Sequence, residues 1–66
     1  MRLYISAEDV RTGDMLCTSY AEMRVFDAYE TRRGTVALLV ESPWGTREFR
    51  HRRATKVLIE RPERQP

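Results

Sequence analysis

Thr35-Val36-Ala37-Leu38-Leu39-Val40-Glu41-Ser42-Pro43-Trp44-Gly45-Thr46-Arg47-Glu48-Phe49-Arg50-His51 is the stretch that decides the fold. Side chains of an extended chain alternate between two faces, so Val36, Leu38 and Val40 share one side and Ala37 and Leu39 the other. Both sides are apolar, and Thr35 to Ser42 therefore reads as a central strand at least partly covered on each face. Pro43 is preset for the first corner of a type I turn, and Gly45 suits the left-handed position that closes a bulged hairpin. Thr46 to His51 is the returning strand. On it Arg50 and Arg52 fall on one face, while Arg47, Phe49, His51 and Arg53 fall on the other.

Outward from this hairpin the pattern stays extended. Arg52-Arg53-Ala54 interrupts it before Thr55 to Glu60, where Thr55, Val57 and Ile59 share a face, and Pro62 ends the run. Upstream, Glu30 to Gly34 is a polar connector that follows a third strand, Met23 to Tyr29. There the adjacent Val25 and Phe26 either point to opposite faces or flank a bulge. Met15 to Thr18 is a short strand fed by the turn Thr12-Gly13-Asp14, in which Gly13 is free to take a positive φ. Leu3 to Ile5 is β-prone, and Ser6 to Val10 reads as one capped turn with Ser6 accepting a backbone N–H and Asp9 answering it.

Five or six short strands with brief loops predict an all-β chain, a small antiparallel β-barrel with one short helical turn near the N-terminus, since closure removes exposed edges. Residues 1–60 form the single domain, and residues 61–66 are expected to be a flexible tail. Asp9-Val10-x-x-Gly13-Asp14 followed by this strand spacing resembles SH3-like barrels such as the N-terminal KOW-like domain of elongation factor P, over roughly residues 5–60. That family carries a modified Lys or an Arg on a loop tip and continues into further domains. Arg32-Arg33 occupies the comparable middle loop here. In length and Arg-rich composition the chain also resembles short proteins encoded by phages of high-GC bacteria.

With 66 residues, the chain buries only about 60% of its unfolded surface, enough for one thin core but not for a deep cleft or an enclosed cofactor. One cysteine, Cys17, cannot make an intramolecular disulfide, which suits a reducing, cytoplasmic setting. The longest apolar run, Val36 to Val40, is far short of a membrane span, so no membrane partner is expected. The net charge of +2 conceals a polarity: residues 1–44 carry −2 and residues 45–66 carry +4. Clustered arginines of that kind attract phosphate or carboxylate surfaces.

Cys17 and His51 each stand alone, without the CxxC or HxxxH spacing of a zinc site. A Cys17–His51 nucleophile–base pair would need a concave site and an oxyanion hole; the alternative makes Cys17 an apolar filler and His51 a partly exposed strand residue. No phosphate-binding loop, dinucleotide fingerprint or nucleophile elbow is present. Neither catalysis nor a cofactor is expected. Arg47, Arg50, Arg52, Arg53 and Lys56, with Arg32, Arg33 and Trp44 at the rim, form the candidate site for nucleic acid. These cations would otherwise be a solvated face paired with Glu41, Glu48 and Glu60. Trp44 either folds onto the barrel as a lid or stands exposed. Exposed, with flanking arginines, it would anchor a protein partner: a host protein held by a phage-type effector, or a second copy joined through edge strands. Tyr4, Tyr20 and Tyr29 read as core margin.

Overall fold

A computed structural model of the chain describes residues 1–62. Six antiparallel strands form one sheet: β1 (Arg2–Ser6), β2 (Met15–Cys17), β3 (Glu22–Glu30), β4 (Thr35–Ser42), β5 (Gly45–Arg52) and β6 (Lys56–Glu60). Their order across the sheet is β1-β6-β2-β3-β4-β5, so β6 returns between the first two strands while β2 to β5 run as a meander. The ladder ends at β1 and β5, which are not hydrogen-bonded neighbours. No helix among the described residues is long and apolar enough to cross a membrane.

β4 behaves as its sequence demands. Val36, Leu38 and Val40 are buried on the inner face, and Ala37 is completely buried on the outer one. The register explains the second observation, because Ala37 lies directly between Tyr29 of β3 and Arg50 of β5, whose long side chains flank a residue with only a methyl group. The inner-face residues join Leu16, Met23, Val25, Val57 and Ile59, with Ala7 and Val10, in one cluster. Strands from both halves of the ladder contribute to it. A continuous antiparallel sheet can supply one core in this way only by curling about it.

Three local features set the loops. β3 carries its bulge at Phe26: Val25 pairs with Val40 and Asp27 with Leu39, leaving Phe26 as the extra residue, so the adjacent Val25 and Phe26 resolve as a bulge. Gly45 has φ +115° at the exit of the β4–β5 turn, a backbone region closed to most side chains. Gly45→Ala is therefore expected to lower stability by about 1 kcal/mol, read as a lower urea midpoint. The N-terminal turn differs from its expected form. Ala7–Asp9 is one 3-10 turn, but Ser6 makes no side-chain cap. The Glu8 N–H, one of the two donors such a cap would serve, instead donates to the Arg53 carbonyl at 3.1 Å, and the preceding Ala7 N–H donates to the Thr55 carbonyl at 2.8 Å, both in the β5–β6 turn.

Residue 61, expected to begin the tail, is held in place. Its backbone N–H donates to the Met1 carbonyl at 2.9 Å, and its guanidinium reaches Asp14. The rest of the expected tail beyond Pro62 lies outside the described residues.

Candidate binding groove

The register of β5 places the predicted cations. Arg47, Phe49 and His51 pair with the buried Val40, Leu38 and Val36, so they point to the inner side; Arg50 and Arg52 pair with Ala37 and Thr35 and point outward. Arg53 lies in the β5–β6 turn, and Lys56 opens β6, its Nζ 3.5 Å from the Ser6 hydroxyl. Arg32 and Arg33 occupy the β3–β4 turn, beside the Arg52 end of the hairpin. Trp44 is at the opposite end. Seven strand residues separate the two ends, about 23 Å at roughly 3.3 Å per residue. Within one chain Trp44 with Arg47 therefore forms one group and Arg32, Arg33, Arg52 and Arg53 another, while Arg50 lies between them on the outer face and Lys56 lies on β6.

Ion pairing accounts for only part of this charge. Arg50 Nε lies 2.5 Å from Glu48 Oε2, two residues away on its own strand, and Tyr29 donates to the other Glu48 oxygen at 3.5 Å. Among the described residues, Arg32, Arg33, Arg47, Arg52, Arg53 and Lys56 have no carboxylate within 4.0 Å. Pairing with Glu41, Glu48 and Glu60 thus describes Arg50 and leaves the others free for a partner.

Trp44 is 72% exposed and does not fold onto the core as a lid. It lines a groove of about 540 Å³ together with Tyr20 and its neighbours Thr18, Ser19 and Ala21, with Met23, Phe49 and Arg47 completing the lining. Tyr20, expected at the core margin, is 88% exposed. Both aromatic residues sit on loops braced by a hydroxyl. The Thr18 hydroxyl donates to the Ala21 carbonyl at 3.0 Å and accepts the Tyr20 and Ala21 N–H groups at 3.2 and 3.1 Å. At the hairpin tip, the Ser42 hydroxyl donates to the Gly45 carbonyl at 2.7 Å and accepts the Trp44 N–H at 3.2 Å. Each loop satisfies its backbone internally and turns its ring outward.

The groove runs on past Thr18, Ser19 and Phe49 into a second hollow of about 640 Å³, whose lining includes Tyr4, Cys17, His51, Lys56 and the Arg2–Glu22 ion pair. Tyr4 is also exposed. Aromatic surfaces and cations without a carboxylate partner among the described residues thus line two adjoining hollows: Trp44, Tyr20 and Arg47 the first, Tyr4 and Lys56 the second, with Phe49 shared by both. Cys17 and His51 share this hollow, yet no hydrogen bond joins them; the Cys17 thiol instead contacts the Met15 carbonyl at 3.6 Å. No group of three or more His, Cys, Asp or Glu residues that could hold a metal ion is present among the described residues.

A separate polar centre lies at the start of β2. Asp14 is almost fully buried and accepts from Arg61 Nε (3.0 Å), from a terminal Arg61 nitrogen (2.8 Å) and from the Arg11 backbone N–H (2.9 Å). Burial alone would raise its pKa, but the Arg61 hydrogen bonds, the Arg11 N–H and the charges of both arginines outweigh burial and hold it below the ordinary carboxylate value. The same hydrogen bonds raise the Arg61 pKa.

No protein-family model, curated protein or solved structure matches this chain. The groove's own chemistry therefore carries the functional reading.

Proposed function

We propose that the chain is a non-enzymatic binding module on a small SH3-like barrel, working in a reducing cytoplasm, and that its groove holds single-stranded nucleic acid. The observation that carries this reading is that two exposed rings, Trp44 and Tyr20, line one groove together with Arg47, which has no carboxylate within 4.0 Å among the described residues. Single strands are held by aromatic platforms for the bases and cations for the phosphates, and the aromatic half requires rings that are already exposed. Phe49 supplies an apolar floor, and Lys56 continues the positive path into the second hollow.

The test is a salt series with a fluorescently labelled single-stranded oligonucleotide of about 10 nucleotides, within the range one small barrel covers. Binding is expected at about 50 mM salt, with log affinity falling by about 0.7 per phosphate contact for each tenfold rise in salt; Arg47→Ala should shallow that slope by about 0.7. Because Trp44 is the sole tryptophan, its fluorescence should quench as bases stack on it. Undetectable binding at low salt, or affinity indifferent to salt, rejects the reading. The exposed Trp44 ring also favours a protein anchor flanked by arginines. That alternative predicts nuclease-resistant capture of one protein and no quenching by oligonucleotide.

A further inference from the structure

β5 is an edge strand of eight residues with continuous register along β4, and it contains neither a proline nor a bulge. Proline and bulges are two of the devices that blunt an edge, and a strand lacking them presents backbone donors and acceptors that another strand can pair with. The charges along Gly45–Arg52 then decide which strand fits.

We propose that β5 pairs antiparallel with β5 of a second copy, about a two-fold axis passing between the two Phe49 residues. Outward-pointing backbone groups fall on alternate residues of a strand, so in a two-fold antiparallel pair one residue lies opposite its own copy. The choice of that residue fixes every other pair. An axis at Glu48 sets two carboxylates against each other, an axis at Arg47 or Arg50 sets two guanidinium groups together, and an axis at His51 opposes Arg50 with Arg52. At Phe49 the conflict disappears. Glu48 then faces Arg50 of the second copy, this pair occurs twice on the outer face, and the two Phe49 residues oppose each other on the inner face. Thr46 faces Arg52, and Arg47 faces His51, so no pair in this register sets two carboxylates or two guanidinium groups together. Directly opposed residues of opposite charge stabilise antiparallel pairs and like charges disfavour them, so charge selects this register. Since Glu48 and Arg50 already pair within one chain, the dimer turns two separate ion pairs into a ring of four alternating charges.

The pairing stands independently of what the groove binds, but it changes the shape of the site. Antiparallel pairing lays the Trp44 end of one copy beside the Arg52–Arg53 end of the other. The two groups of candidate residues, separated along a single hairpin, become neighbours across the dimer, and Phe49, which lines both hollows of each chain, lies where the paired grooves meet.

Analytical ultracentrifugation of the chain without nucleic acid, over a concentration series at low salt, tests this. A concentration-dependent dimer is expected. Arg50→Glu and Glu48→Arg should each weaken it by about tenfold, and the double exchange E48R/R50E should restore it, because only the exchanged pair regains opposite charges across the axis. Both positions lie on the outer face, and circular dichroism checks that the variants fold. As a second arm, Phe49→Cys in a Cys17→Ser background should form an interchain disulfide on mild oxidation, whereas Thr46→Cys should not. A monomer at every concentration, or a dimer unaffected by R50E or not restored by the double exchange, overturns the pairing. A dimer that behaves as expected yet binds no oligonucleotide upholds the pairing and rejects only the groove reading.

Discussion

Asp14→Ala is expected to destabilise the domain by about 2–3 kcal/mol, a large fraction of what a chain of this size holds in total. The carboxylate has almost no contact with solvent and serves three donors, two from Arg61 and one from the Arg11 backbone. Removing it strands a guanidinium and a backbone N–H together. The cost stays below that of a fully buried ion pair because the Arg61 side chain is 29% exposed and can recruit water. Urea unfolding of the wild type, Asp14→Ala and Asp14→Asn checks the order, with Asn intermediate since it keeps the shape and an acceptor but loses the charge. The pH dependence gives a second reading. The ordinary value for this carboxyl is 3.8 and its folded value is lower. Its stabilising contribution is therefore complete above about 3.8 and is lost as pH falls from there through the lowered folded value. Asp14→Asn should flatten the stability curve over that acid range, and parallel curves for the two proteins would contradict this.

Trp44→Ala and Tyr20→Ala should each weaken binding of a single-stranded oligonucleotide by about 5- to 150-fold, the equivalent of about 1–3 kcal/mol for one stacked base. Stability should change by less than about 0.5 kcal/mol in either variant, because both rings stand in solvent and neither belongs to the core. Affinity and folding are thereby separated. Tyr20→Phe should retain most of the affinity, since stacking uses the ring and not the hydroxyl. Direct titration by anisotropy reads all three. Unchanged affinity in both alanine variants would remove the aromatic walls from the site.

The difference between what sequence reveals about the fold and about the site follows from chain distance. β4 is legible because Val36, Leu38 and Val40 alternate within five residues, and the positive φ at Gly45 is legible because its turn is local. The Asp14–Arg61 pair spans 47 positions, and nothing near either residue marks one acid among ten as buried. Arg61 consequently reads as tail. Trp44 and Arg53 show the opposite effect: nine positions apart, they read as one patch, but an extended strand carries its ends away from each other, and it is Tyr20, from a different hairpin, that lines a groove with Trp44. The signal available for Tyr20 is its position in Thr18-Ser19-Tyr20-Ala21, a short polar connection in which strand alternation does not apply. The unpaired flank of β5 is equally silent in sequence, since strand order is set by the return of β6 between β1 and β2.

The hydroxyl braces at Thr18 and Ser42 carry a kinetic consequence. With both loops fastened before any ligand arrives, encounter does not wait for a segment to order itself, and no ordering entropy is subtracted from the binding energy at that moment. Different ligands should then enter at similar rates, and the groove should discriminate among them by how long each one stays.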